Sequence, residues 1–417
     1  MNCRNILVGL VAVSACMSAS AQQRGFDYKF YGQVRADVFY NSRSNSESVD
    51  GLFYMYPKDE SLDSNGEDLN AKADGNMYTM YSRVGIDVVA PKINGKVAVS
   101  GKVEVDFRGG GTSYYMLRLR QAYFNLGFGK SSLLVGQTWH PFYGDVAPQV
   151  LNLNTGAPFQ PFSRAPQISY RYANRSFRMG VAALWQSQYL SVGPKTDVAG
   201  DFSSQKSNQY IKNGCLPELA LNLDYVGHGW VAGGGVDMTS IVPRTQSKVD
   251  DNVYKVSERI TSFSAELHAK YAKNDWFVAG KTIYGSNFTQ ASGVGGYAIT
   301  SIDPVTGEQQ YAPVHVSSTW FNVAYGKKWR PALFAGYLKN LGAGEPVKGV
   351  IGTGISDGLD EVVSAAFELT YNISHWKFGV EYMLTHARYG SLANEARVEN
   401  THGVTNNRVV ATALFQF

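Results

Sequence analysis

The sequence predicts an all-β fold, a sixteen-stranded antiparallel transmembrane β-barrel, and three observations carry that prediction. Long segments alternate apolar and polar side chains with period 2. The connections between them alternate short and long. The chain stops on an apolar strand face, where Val409, Ala411, Ala413, Phe415 and Phe417 share one side of the closing run. A fraying soluble end prefers polar company. A closed barrel instead pairs its last strand with its first, so an aromatic end is held. An ordinary edge strand ending in Phe is the plainer reading of the terminus alone.

The amino terminus fits export. Met1 to Ala21 has a basic start (Arg4), an apolar stretch from Ile6 to Ala15, and Ala19-Ser20-Ala21 before Gln22. That is the order of a secretory signal peptide with an A-x-A cleavage site. The apolar part is too short to span a bilayer. Val13-Ser14-Ala15-Cys16 also resembles a lipoprotein box, so acylation at Cys16 competes with cleavage after Ala21. Residues 22–417 are then expected to form one barrel. The 38 lysines and arginines outnumber 34 acids, and losing Arg4 with the signal leaves 37. Cys3 and Cys16 would leave too, so Cys215 stays as a single thiol in a loop and no intramolecular disulfide or cysteine metal site is expected.

Composition separates the classes only in part. Beyond the signal no apolar run reaches the ~20 residues of a membrane helix, and mean hydropathy is −0.21. With 26 Tyr, 21 Phe and 43 Gly, the chain suits a barrel with aromatic girdles. It also suits a large soluble sandwich. Periodicity decides between them. In residues 96–108, Val97, Val99, Gly101, Val103, Val105 and Phe107 oppose Lys96, Ala98, Ser100, Lys102, Glu104, Asp106 and Arg108. The division recurs in 29–40, 261–271, 361–373 and 375–386, and the apolar faces often begin or end in Tyr, Trp or Phe. Such segments run longer than the usual soluble strand of about 5–6 residues.

Taken in order, strands are expected near 27–41, 76–90, 96–109, 113–127, 131–139, 166–173, 175–187 and 217–227, then 229–241, 257–273, 275–286, 314–327, 329–340, 359–373, 375–389 and 404–417. Short turns such as Lys92-Ile93-Asn94-Gly95, Gly227-His228 and Lys273-Asn274 lie on one side. Long loops at 42–75, 140–165, 188–216, 287–313, 341–358 and 390–403 lie on the other. That asymmetry is the plan of outer-membrane barrels, and sixteen strands enclose an aqueous channel.

The chain resembles the Gram-negative porins, most closely the DcaP-like group, which is similar to the phosphate-selective porins. Tyr31-Gly32-Gln33-Val34-Arg35, Leu119-Arg120-Gln121-Ala122-Tyr123-Phe124 and Val135-Gly136-Gln137-Thr138-Trp139-His140-Pro141-Phe142 carry the resemblance. It implies a homotrimeric outer-membrane channel for small, often anionic solutes. Insertion would use the barrel-assembly machinery and end in outer-membrane lipid. DcaP-like members can carry an amino-terminal coiled coil; only Gln22 to Asp27 precede the first strand here.

In the expected register the lumen charges separate. Arg35, Arg83, Lys102, Arg118, Arg120, Arg171, Arg178 and Arg408 fall on the first half or the closing strand. Glu218, Asp224, Asp237, Glu266, Glu368 and Glu381 fall on later strands. Opposed walls would set a transverse field that orients dipolar solutes and focuses ions. Arginine adds forked hydrogen bonds to carboxylate or phosphate. The plainer reading is that these charges only keep a pore wet, and Asp87, Glu104 and Asp106 neutralise part of the basic wall.

Segment 140–165 is the candidate inward constriction. Pro141, Pro148, Pro158 and Pro161 stiffen it, aromatics such as Phe159 and Phe162 let it pack, and Asp145 and Arg164 are placed to face the passage. An outer loop at a trimer interface is the alternative.

No cofactor, metal or nucleic-acid partner is predicted. The acidic run Asp59-Glu60 to Asp68 lacks a helix–loop–helix calcium spacing. Gly109-Gly110-Gly111 and Gly233-Gly234-Gly235 lack a phosphate-binding context and read as a turn and a close strand contact. The seven histidines are scattered. The rival classes are a barrel phospholipase or protease and a non-conducting structural or adhesive barrel. Ser264 and His268 share a strand face, but four residues along a strand is too far for a hydrogen bond.

Overall fold

The computed structural model describes residues 25–48, 51–109 and 115–417. The signal segment, Cys16, Gly110 and Gly111 lie outside the described residues.

Sixteen antiparallel strands close into a barrel. In chain order they are β1 Asp27–Asn41, β2 Arg83–Ile93, β3 Val97–Asp106, β4 Arg118–Phe128, β5 Ser131–Trp139, β6 Arg164–Ala173, β7 Phe177–Leu184 and β8 Glu218–Gly227. The second half is β9 Trp230–Ile241, β10 Ile260–Lys273, β11 Trp276–Ser286, β12 Gln309–Tyr325, β13 Trp329–Gly342, β14 Leu359–Ile373, β15 Trp376–Leu392 and β16 Val398–Gln416. Each strand pairs with its sequence neighbours, and β1 pairs with β16 from Gln33↔Gln416 to Asn41↔Arg408. Closure removes every free edge, so backbone groups facing lipid are all paired. No helix among the described residues is long and apolar enough to cross a membrane. The crossing is made by strands.

Alternation sets the two faces. On β1 Val34 and Val38 point outward, while Arg35 and Asp37 point into the lumen. At the short-turn rim, outward aromatics meet across neighbouring strands. Trp230 faces Tyr271 with ring centroids 5.0 Å apart, and Trp276–Tyr325, Trp329–Tyr371 and Trp376–Phe415 are each 4.7 Å apart. These directly opposed pairs build an interfacial girdle. Their tryptophan and tyrosine rings supply an apolar body and a polar tip at the depth where lipid meets water.

The structure corrects several boundaries. The expected strand 76–90 is broken into Asp74–Tyr78 and β2, because Met80 and Tyr81 turn inward and are buried. The strand expected at 404–417 starts at Val398, and β12 starts at Gln309 rather than 314. The expected loop 287–313 contains a strand, Gly295–Ile302, which pairs with both β12 and Gly349–Thr353 above the barrel. Loop residues pair there because the long side of the barrel has exposed ladder groups to satisfy. Cys215 caps the short helix Gln209–Gly214 and its thiol is exposed.

Closure depends on the last residue. Gly32 N–H donates to the Phe417 carbonyl at 2.9 Å, and Phe417 N–H donates to the Gly32 carbonyl at 3.1 Å. The Phe417 ring lies where a side chain at position 32 would project, which is why glycine occupies it. Deleting Phe417 is expected to lower the amount of folded, heat-modifiable barrel in the outer membrane while synthesis is unchanged. Quantitative immunoblots of membrane and total fractions check this, and equal membrane levels would contradict it.

Candidate functional site: a lumen divided by an inward loop

The residues between β5 and β6, 140–163, cross the lumen. Their backbone polar groups cannot pair as a strand does, so lumen side chains pair with them. The Glu381 carboxylate on β15 accepts N–H bonds from Leu151 at 2.7 Å and Asn152 at 3.2 Å. Asn322 on β12 accepts Gln149 N–H at 2.8 Å, and Arg330 on β13 reaches the Gln149 side chain. Ser318 donates to the Phe159 carbonyl at 2.9 Å, and the Trp320 indole donates to Gln160 at 2.8 Å. Lys281 on β11 donates to the carbonyls of Phe142 and Tyr143. Arg35 on β1 donates to the Leu151 carbonyl at 2.5 Å. Phe159 seats its ring on Gly336, beside Phe334.

A second segment enters from the mouth. The hairpin formed by Asn45–Ser48 and Phe53–Pro57 folds inward and buries Phe53, Tyr54, Met55 and Tyr56. Asn154 donates to the Tyr54 carbonyl at 2.6 Å, and Phe53 meets Phe162 edge-on at 5.0 Å.

The wall opposite the loop is basic. Arg118 forks onto Asp106 with contacts of 3.0 and 2.6 Å. Arg120 bridges Glu104 at 2.7 Å and Asp106 at 2.8 Å. Arg83 lies 3.9 Å from Glu104, and Lys102 pairs with Asp87 at 2.8 Å. The Tyr81 ring lies 5.7–5.9 Å from the guanidinium carbons of Arg35, Arg83, Arg108 and Arg120. Arg164 stacks over Trp139 at 4.6 Å and donates to the Tyr189 hydroxyl at 3.0 Å. No carboxylate pairs with Arg164 among the described residues. Four guanidiniums (Arg83, Arg118, Arg120 and Arg164) thus gather around two carboxylates, Glu104 and Asp106. Cation–π contacts replace part of the missing counter-charge. The cluster keeps a positive excess in a region of few water contacts, where fields are strong.

Toward the short-turn side the lumen opens into a cavity of about 570 Å³. Arg171, Arg178, Asp145, Asp224 and His268 line it. Asp145 on the loop pairs with Arg178, and His268 bridges Asp224 and Glu266 at 2.9 Å each.

Comparisons with known proteins agree with this architecture. A family model described as DcaP outer membrane protein matches residues 13–184. This is an outer-membrane barrel similar to the DcaP outer membrane proteins. The solved DcaP outer membrane channel of Acinetobacter baumannii is 17% identical, with 95% of this chain and 99% of that chain covered and a TM-score of 0.65. OmpT of Vibrio cholerae, solved as a trimer, is 12% identical over 94% of this chain and 100% of its own, with a TM-score of 0.55. An anion-selective porin of Comamonas acidovorans is 11% identical over 94% of this chain and 100% of its own, with a TM-score of 0.52. At such identities the likeness is one of fold. The comparison with curated proteins gave no match.

The residues singled out from the sequence fall into groups. Arg35, Arg83, Lys102, Arg118 and Arg120 are brought together on the wall facing the loop, with Arg164 at its end. Arg171 and Arg178 sit lower, in the cavity. Other placements differ from expectation. Arg408 lies under the inward hairpin, donating to the Gly51 carbonyl and Asn41, and Glu381 lies under the loop tip. Glu266 is buried against His268 and Asn222. Phe159 and Phe162 are packing anchors with almost no exposed surface. Ser264 donates to the Ser286 carbonyl while His268 holds two carboxylates, so they form no nucleophile–base pair.

Sequence reasoning missed Tyr81, Arg108 and the hairpin 45–57. In an unbroken strand Tyr81 would share the inward face of Arg83 two residues on, so alternation carried no signal that the strand breaks beside Met80. Replacing Gly336 by Val is expected to unseat Phe159, at an overpacking cost of about 1–3 kcal/mol. Single-channel conductance should rise as the loop loses its seat. Unchanged conductance in a folded G336V barrel would show that the loop does not set the opening.

Proposed function

We propose that the protein is a homotrimeric porin for passive diffusion of small hydrophilic solutes, favouring anions with carboxylate or phosphate groups. The observation that carries the preference is the gathering of Arg83, Arg118, Arg120 and Arg164 around two carboxylates, Glu104 and Asp106. The loop tip and the loop root hold Glu381 and Glu218, while Arg83 and Arg118 keep part of their side chains exposed. Fixed donors in a narrow, low-dielectric passage replace part of an anion's hydration shell. The fork geometry of arginine suits planar carboxylates and phosphate oxygens. That a barrel of the same fold, from Comamonas acidovorans, is an anion-selective porin is compatible with this reading. The protein performs no bond chemistry in this scheme. The proposal includes signal cleavage after Ala21 and insertion through the barrel-assembly machinery.

Reversal potentials in a KCl gradient test the preference. Arg83→Ala should lower the anion-to-cation permeability ratio modestly, because its charge is partly exposed. Arg120→Ala should lower it further, because it also strips Glu104 and Asp106 of a shared partner; breaking such a buried pair costs about 3–5 kcal/mol. Both effects should shrink as salt shortens the screening length below ~8 Å. Cation preference in the unmodified channel would remove the anion reading and leave a general diffusion pore.

A further inference from the structure

At the root of the inward loop is a cluster that the solute path does not use. His140 Nε2 lies 2.8 Å from Glu218 Oε1 on β8 and 3.6 Å from Asp237 Oδ2 on β9. Gln290, in the long loop after β11, donates to Glu218 Oε1 and to the Thr239 hydroxyl, each at 2.9 Å. Thr239 in turn donates to Asp237 Oδ1 at 3.2 Å. All are buried, and the rings of Phe142 and Phe288 close over His140 at 5.7 and 5.8 Å. One site thus ties together the loop root, two wall strands and an outer loop.

We infer that His140, Glu218, Asp237 and Gln290 form a proton-dependent latch, which keeps loop 140–163 in the lumen while it holds a proton and releases the loop as the pH rises. The inference rests on the channel reading above.

Three observations support it. First, two carboxylates buried side by side cannot both stay ionised beside a neutral ring without a large cost. Second, Asp237 Oδ2 has no hydrogen-bond partner, so the cluster has a place for one more proton. Third, the Phe142 amide donates to His140 Nδ1 at 3.1 Å. That amide leaves Nε2 as the protonated nitrogen of a neutral ring, so an N–H and not a lone pair faces the acids. The arrangement suits a proton better than a metal ion, although His140, Glu218 and Asp237 offer ligand atoms within 4.8 Å of one another.

The extra proton belongs to the cluster rather than to one atom. Burial alone would push the His140 ring down, but Glu218 and Asp237 raise it to about 9. The Phe142 amide favours the other arrangement, with a neutral ring and the proton between the carboxyls. Both arrangements bind a proton more tightly than the released groups do. The stabilisation is therefore complete below the ordinary histidine value of 6.5, declines as the pH rises above it, and is gone once the pH has passed about 9. Beyond the cluster, the packed strands also carry Lys281 on β11, which holds the carbonyls of Phe142 and Tyr143, and the Asp224–His268–Glu266 chain on β8 and β10. On the loop itself Asp145 is paired with Arg178 of β7.

The test is single-channel recording of the full barrel in planar bilayers from pH 6 to pH 10.5, with heat-modifiable migration showing that each variant is folded. In the wild type the share of a wider state relative to the narrow state should grow by up to tenfold per pH unit from about pH 6.5 and level off above about pH 9. Asp237→Asn keeps the shape and cannot ionise, so its profile should be flat. Glu218→Gln should behave likewise, and serves if D237N does not insert. A flat profile in the wild type, or a wild-type profile retained in a folded D237N or E218Q barrel, overturns the latch. Conductance present at every pH with no transition would leave the channel reading standing and the latch refuted; no conductance at any pH would refute both.

Discussion

A peptide segment lying inside a barrel has no strand neighbour, so the hydrogen bonds between the lumen wall and loop 140–163 are the constraint on which the site depends. Glu381 is central among them, because one carboxylate oxygen accepts two successive backbone N–H groups at the loop tip. Asn322, Ser318, Trp320 and Lys281 repeat the principle along the path. Removing one of them would strand a buried donor or acceptor, which costs more than the bond itself contributes.

The anchoring has an electrostatic consequence. The charged lumen residues divide into a basic half on β1–β7 and an acidic half on β8–β10 and β14–β15. If all faced water, the lumen would carry a transverse field between two walls. Instead Glu218 is taken by His140 and Gln290, and Glu381 by the loop tip. Glu266 is taken by His268. Glu218, Glu266 and Glu381 are thus covered, while Asp224 still lines the lower cavity. The net field at the narrowing is therefore more positive than a formal count of charges suggests, since the acids act on backbone dipoles rather than on solute.

Much of this was legible in the sequence, for a physical reason. Period-2 alternation over long segments fixes which side of a closed sheet faces lipid, and a one-residue error would invert it. Hence Arg35, Arg83, Arg118 and Arg120 could be placed inward from Val34, Val84, Leu117 and Leu119 alone. What periodicity cannot carry is where a non-periodic loop goes. The role of Glu381 depends on a partner 230 positions away in the chain, and that of Arg408 on Gly51 at 357. The inward hairpin was invisible for the same reason: Phe53-Tyr54-Met55-Tyr56 has no alternation because both of its faces are buried, which reads as a short apolar run without a direction.

The basic cluster also owes its density to a break in the regular pattern. Between β3 and β4 the register shifts, with Glu104 opposite Gln121 and Val105 opposite Leu119. Arg120 is the extra residue of that bulge. In an unbroken strand Arg120 and Gln121 would point to opposite faces, and one of them would meet lipid. In the bulge both face the lumen: Arg120 reaches Glu104 and Asp106, while Gln121 contacts Glu104 and the Thr138 hydroxyl. Two successive polar side chains are thus delivered to one side of the wall, beside Arg118, without exposing either to hydrocarbon. A single inserted residue concentrates charge at the level of Tyr81 and Trp139. The bulge and the loop are complementary devices: one raises the density of fixed positive charge on the free wall, and the other narrows the water in which that charge is felt.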